Sequence, residues 1–194
     1  MMRSRLEIKV SGFVAALVVA CSPASAPPAI SPSPEGIPTV LRGYRMTTSE
    51  PIPERDGGGT LYRFNDGSGA YLTVFIYPVP DDVKQTDDSG QWVIVEGRKF
   101  VQVMPIQVQR GRYDAYEMAF ADPEPVIVGR DTIPGFAAAA VTRSRGVVSV
   151  QLEYLYLVRG QFLKVRATLP QENWQKAVAP LFARDLAQIW FTRK

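Results

Sequence analysis

The sequence predicts an α+β fold: a single globular domain whose antiparallel β-sheet is packed by a C-terminal amphipathic helix and by a second helix in mid-chain. Three observations carry this. Val147–Leu169 (VVSVQLEYLYLVRGQFLKVRATL) is a pair of long β-prone runs about a single glycine, Gly160, with Pro170 closing the second run. Trp174, Val178, Leu181, Phe182, Leu186, Ile189 and Trp190 recur at helical spacing through the C-terminus. The β-prone runs come in blocks interrupted by helical stretches, which is the order of an α+β chain and not of a parallel α/β one.

Taken in order, residues 1–20 read as an export signal. Arg3, Arg5 and Lys9 make a basic start, tempered by Glu7, and Gly12–Ala20 (GFVAALVVA) is a short apolar run. It falls well below the roughly 20 residues needed to span a bilayer. The run ends in Val18-Val19-Ala20-Cys21, which resembles the lipobox of bacterial lipoproteins. That resemblance implies a Cys21 that is acylated, becomes the new N-terminus and anchors the chain to a membrane. Ala24-Ser25-Ala26 offers the other reading, an ordinary cleavage site that would release a soluble secreted protein, although Pro27 directly after it argues against cleavage there. Cys21 is the only cysteine, so the folded part has neither a disulfide nor a thiolate site.

Residues 21–38 form a Pro/Ser/Ala-rich tether of the extended, semi-rigid kind; a Pro-rich recognition motif is the alternative reading of the same stretch. Ser22 after the cysteine resembles the outer-membrane sorting pattern, which implies an outer-membrane protein facing the periplasm if the host is Gram-negative. The whole chain carries 22 basic and 19 acidic residues; without Arg3, Arg5, Lys9 and Glu7 the balance is 19 to 18, a net charge of +1. No basic stripe remains that would mark a nucleic-acid surface, so nucleic acid is excluded as a partner.

The globular domain, residues 39–194, is long enough to stand on one core without cross-links. Val40–Met46 is expected as a first strand and Thr47–Gly59 as a loop, from its Pro and Gly content. Thr60–Asn65 and Ala70–Pro78 read as a hairpin about Asp66-Gly67-Ser68-Gly69. The longer strand alternates Tyr71, Thr73, Phe75 and Tyr77 against Leu72, Val74 and Ile76, so both faces ask for at least partial cover. Pro78–Gly90 is an acidic loop. Asp81, Asp82, Asp87 and Asp88 do not follow a calcium-loop spacing and Lys84 intrudes, so no metal is expected there.

Gln91–Arg110 is read as a helix kinked near Pro105, with Val93, Phe100, Met104 and Val108 as its stripe and Ser89 as N-cap. Gly97, Pro105 and the valines weigh on the side of a strand, in which Phe100, Met104, Ile106 and Val108 would share a face. Arg112–Ala121 follows as a strand, Asp122–Gly135 as a loop with a short strand at Val126–Val128, and Phe136–Arg143 as a strand leading to a turn at Arg145-Gly146.

In the hairpin that comes next, a two-residue turn at Arg159-Gly160 would set Val158 opposite Gln161, Tyr154 opposite Val165 and Leu152 opposite Ala167. The same register sets Glu153 opposite Arg166 and Gln151 opposite Thr168. Arginine is not a favoured first residue of such a turn, so a three- or four-residue loop is the alternative. On the more polar face, Lys164 and Arg166 are candidates for binding an anion, against the plainer reading of a solvated strand face with one ion pair. After the hairpin, Pro170 suits a first helical turn and Pro180 should bend the C-terminal helix. Trp174 and Trp190 read as core residues of that helix and not as a ligand stack.

The strand pair ending in Phe162–Pro170 (FLKVRATLP) and the amphipathic C-terminal helix resemble the Mog1/PsbP-like sandwich, which implies an antiparallel sheet with helices on its faces and a role in binding or assembly. Catalysis is argued against by what is missing: there is no histidine, no thiol beyond Cys21, and no nucleophile-elbow, P-loop or dinucleotide motif, so no cofactor is expected. Asp114, Glu117 and Glu153 are the carboxylates that strands could pair in a cleft; the alternative is exposed carboxylates on a sheet face. Two readings of function follow. One is a membrane-tethered envelope module that binds another envelope protein through a sheet edge or the polar hairpin face. The other is a carrier of a small apolar or amphiphilic ligand, held between the helices and the aromatic strand face of Tyr71, Phe75 and Tyr77.

Overall fold

The hairpin about Gly160 forms the centre of an eight-stranded antiparallel sheet ordered β1-β2-β3-β4-β10-β9-β8-β5. The computed structural model describes residues 36–84, 88–172 and 178–193. In chain order the strands are β1 (Val40–Leu41), β2 (Tyr44–Pro51), β3 (Thr60–Asn65), β4 (Tyr71–Pro78), β5 (Ala115–Pro123), β6 (Val126–Val128), β7 (Asp131–Ile133), β8 (Gly135–Ser144), β9 (Val147–Val158) and β10 (Gln161–Pro170). Helix α1 (Ser89–Gln109) lies between β4 and β5, and α2 (Ala179–Thr192) closes the described chain. Strands β6 and β7 form a separate small hairpin.

The register of β9 and β10 is the expected one, with Gln161 opposite Val158, Val165 opposite Tyr154, Arg166 opposite Glu153 and Thr168 opposite Gln151. The turn has two residues, both left-handed: Arg159 at φ 55° and Gly160 at φ 75°. The same Arg-Gly pair turns β1 into β2 (Arg42 φ 52°, Gly43 φ 85°) and β8 into β9 (Arg145 φ 49°, Gly146 φ 81°). A left-handed arginine is uncommon and costs free energy. Each of the three is held from outside its hairpin. Arg42 pairs with Asp185 at 2.6 Å, the Arg159 guanidinium donates to the Arg193 carbonyl at 2.9 Å, and the Arg145 backbone N–H donates to the Asp114 carboxylate at 2.7 Å.

The two helices sit on opposite faces of the sheet. Buried Phe182, Leu186 and Trp190 of α2 join Tyr44, Tyr62, Phe64, Leu72, Leu163 and Val165 in the larger core, where the Phe182 ring meets Tyr44 and Phe64 edge-on at 5.6 and 5.1 Å. On the other face, Val93, Phe100 and Met104 of α1 pack with Phe136, Ala138, Ala140, Leu155 and Phe162. The alanines of β8 let α1 lie close, and a Cβ at Gly97 would run into the Phe136 ring. Gly97 is thus explained by packing, and the helix carries Pro105 within it.

Several expectations need correction. The first strand is two, broken by the Arg42-Gly43 turn, and β2 runs on through Pro51 where a loop was expected; a short 3-10 turn at Glu54–Asp56 takes up part of the remainder. The N-cap of α1 is Asp88, whose carboxylate accepts from the Gly90 N–H at 2.8 Å, and not its neighbour Ser89. The Val126–Val128 strand has a partner in Asp131–Ile133. Pro170 ends β10, and Pro180 stands in the first turn of α2, where a missing N–H costs nothing, so it starts the helix and does not bend it. Leu181 and Ile189 are exposed, outside the core stripe. Cys21, most of the tether, Asp87 and Trp174 lie outside the described residues.

Candidate functional site

Strand parity puts Tyr71, Thr73, Phe75 and Tyr77 of β4 on the same face as Phe162, Lys164, Arg166 and Thr168 of β10, because Tyr77 pairs with Phe162, Phe75 with Lys164 and Tyr71 with Thr168. This is the α1 face. Helix α1 packs chiefly over β8, β5 and β9, reaches Phe162 and Lys164 of β10, and leaves the outer side of β4 more open, with Tyr71 61% exposed. The result is a groove with the helix as one wall. One depression of about 440 Å³ is bordered by Glu50, Leu61, Tyr77, Glu96 and Lys164, and a second of about 310 Å³ by Tyr71, Phe100, Met104, Arg112 and Thr168. Phe75 and Arg166 line both, with the guanidinium 5.7 Å from the Phe75 ring centre. All five residues singled out from the sequence, Tyr71, Phe75, Tyr77, Lys164 and Arg166, therefore meet along one groove.

Beneath the groove the charges alternate in sign. Asp82 pairs with Lys99 at 3.2 Å, Lys99 with Glu96 at 2.8 Å, Glu96 with Lys164 at 2.9 Å, Lys164 with Glu153 at 3.9 Å, and Glu153 with Arg166 at 2.7 Å. Tyr77 adds a hydroxyl that donates to Glu96 Oε1 at 2.9 Å. Glu153 is wholly buried and Lys164 and Glu96 nearly so. Unpaired, each would carry a large desolvation cost, which the opposite neighbours offset. Lys164 is thus not on a solvated strand face: α1 covers it, and Glu96 is the partner that α1 supplies. Two carboxylate oxygens are less well served. Glu153 Oε1 has no hydrogen bond, and Glu96 Oε2 meets Lys99 without hydrogen-bond alignment.

Burial pushes the Glu96 carboxyl up, but the Lys164 charge, the close Lys99 ammonium and the hydrogen bonds from Lys164 and Tyr77 outweigh it and bring it down to about 2. Burial and the neighbouring Glu96 charge raise the Tyr77 hydroxyl far above its usual range, so it stays a donor. These groups are held in one protonation state, the opposite of what proton transfer near neutral pH requires. The other carboxylates considered from the sequence do not join them. Asp114 precedes β5 and caps the Arg145 N–H, and Glu117 lies exposed on β5. Asp81 is paired with Lys84 at 3.0 Å. Among the described residues no cluster of three or more acidic side chains is placed to hold a metal. No described helix is long and apolar enough to cross a membrane.

Glu96 and Arg112 are the charged groove residues next to Lys164 and Arg166 that sequence reasoning passed over. The signal for Glu96 was present, since it stands three residues after Val93 and four before Phe100, on the apolar stripe itself. No comparable pattern marks Arg112.

No family model matches this chain, and no curated protein sequence does. Among solved structures it is similar to the solution structure of cyanobacterial PsbP (CyanoP) from Synechocystis sp. PCC 6803. The TM-score is 0.50 at 16% identity, over 80% of this chain and 84% of that one. The likeness is one of fold: an α+β sandwich with a large antiparallel sheet and helices on its faces, as the hairpin and C-terminal helix implied.

Proposed function

We propose that this protein is a non-catalytic interaction module of the bacterial cell envelope, tethered through an acylated Cys21, and that the groove on the α1 face receives a segment of a partner protein. One observation carries the choice between partner and small ligand: α1 and α2 lie on opposite faces of the sheet, so they cannot jointly enclose the Tyr71-Phe75-Tyr77 face. That face instead floors an open groove with aromatic and charged side chains side by side, the mixture that protein interfaces favour. The sheet edges are poorer candidates. Strand β1 covers only Tyr44 and Arg45 of β2, the rest of β2 has an irregularity between Met46 and Thr48 and ends in Pro51, and β5 carries an irregularity between Met118 and Phe120 and ends in Pro123, devices that blunt strand addition.

The test is affinity capture of the native protein from gently solubilised envelopes, beside a Tyr71→Glu variant. Tyr71 is 61% exposed, so the substitution should leave the fold intact. The proposal expects a stoichiometric protein that the variant fails to retain. A bait that instead carries a small molecule would favour the carrier reading. The mass of the mature N-terminus tests the tether: a diacylated Cys21 is expected, and a peptide starting at Pro27 would exclude it.

A further inference from the structure

We infer that the Arg112 half of the groove recognises an acidic peptide segment in which carboxylates alternate with apolar side chains. This rests on the reading of the groove as a protein-binding site and names the chemistry of its partner. The two halves differ in charge. Around the larger depression the charges are internally matched, Glu50 with Arg63 at 2.7 Å and Glu96 with Lys164 at 2.9 Å. The smaller depression shares Arg166 with the larger one, adds Arg112, and is lined by no carboxylate, whereas Glu50, Asp56 and Glu96 line the larger. Arg166 gives only its Nε to Glu153, which leaves its two terminal amino groups without a hydrogen bond among the described residues. The exposed Arg112 side chain makes no hydrogen bond or ion pair among them.

A guanidinium presents paired N–H donors that match a carboxylate fork. Facing these cations, Phe100, Val103 and Met104 of α1 give an apolar wall, with Val103 37% exposed. An extended segment sends successive side chains to opposite sides, so alternating acidic and apolar residues would meet the guanidiniums with one set and the helix wall with the other. An open-sided depression of about 310 Å³ does not enclose an acyl chain, whereas a peptide backbone tolerates the water left beside it.

The experiment uses the mature chain and a fluorescein-labelled octapeptide of alternating leucine and aspartate, its leucine–asparagine twin, and phosphatidylglycerol vesicles, read by anisotropy and co-sedimentation at low salt. The expected result is at least tenfold tighter binding of the aspartate peptide, a tenfold loss in Arg112→Gln, and no change in Arg130→Gln on the exposed turn between β6 and β7. Unchanged near-ultraviolet dichroism would show that Arg112→Gln is folded. Equal affinity for the two peptides would overturn the inference, as would an unaffected Arg112→Gln, or vesicle binding that depends on Arg112 while neither peptide binds. Capture of an envelope protein that needs Tyr71 but survives Arg112→Gln would sink this inference and leave the groove reading standing.

Discussion

Glu96→Gln removes one negative charge from the middle of the alternating chain while keeping the side chain's shape and its hydrogen bonds to Tyr77 and Lys164. Lys164 is then left, 8% exposed, with Glu153 at 3.9 Å as its remaining counter-charge, itself already shared with Arg166 at 2.7 Å. Two routes give the size of the effect. A carboxyl brought from 4.5 to about 2 corresponds to about 3 kcal/mol at about 1.4 kcal/mol per tenfold change, reduced to about 2 kcal/mol by water in the adjoining cleft. Breaking one partner out of a buried pair costs about 3–5 kcal/mol. A loss of about 3 kcal/mol at pH 7 lies between them.

The sign with pH follows from the direction of the shift. A carboxyl whose folded pKa is depressed stabilises the fold above the unfolded value, and that stability is lost as pH falls from about 4.5 towards 2. Urea unfolding of both proteins at pH 7 and pH 3 is the assay. The gap between them should be about 3 kcal/mol at pH 7 and about half that at pH 3. A gap under about 0.5 kcal/mol at pH 7, or one that does not change with pH, would refute the reasoning.

Replacing the pair together, Glu96→Leu with Lys164→Met, is expected to recover at least half of the loss in Glu96→Gln, because no buried charge is left unmatched across α1 and the sheet; the same urea series measures it. Gly97→Ala should gain about 1 kcal/mol of helix propensity and lose about 1–3 kcal/mol against the Phe136 ring, a net fall in melting temperature seen by calorimetry. Gly160→Ala meets no atoms within 4 Å, so its cost is that of a left-handed alanine, about 1 kcal/mol, and Gly160→Asn should cost less in the same thermal scan.

Much of the sheet was legible because its signals are local. The alternation along Val147–Val158 and Gln161–Pro170 dictates a register, and the structure has that register down to the Glu153–Arg166 pair. The aromatic row of β4 and the Lys164/Arg166 row of β10 were both visible. That they lie side by side on the α1 face was not, because the pairing of β4 with β10 spans a long stretch of intervening chain that includes α1. Burial of Lys164 was missed for the same reason: its partner Glu96 is distant in sequence, and a lysine on a strand otherwise reads as solvated. Local signals misled where one residue serves two purposes. Gly97 counted against a helix until Phe136 was seen to need its missing side chain, and Pro180 reads as a bend or a start according to where the helix begins.

The central claim is that the face shared by β4 and β10 is where this protein meets its partner. A photo-crosslinking amino acid placed at Tyr71 in the groove, and in a parallel strain at Ile127 on the β6-β7 hairpin, tests it in intact cells. Both positions are exposed, 61% and 71%. The account expects a discrete adduct of higher mass from position 71 and none from position 127. Adducts from position 127 with none from 71 would place the interaction elsewhere and contradict it.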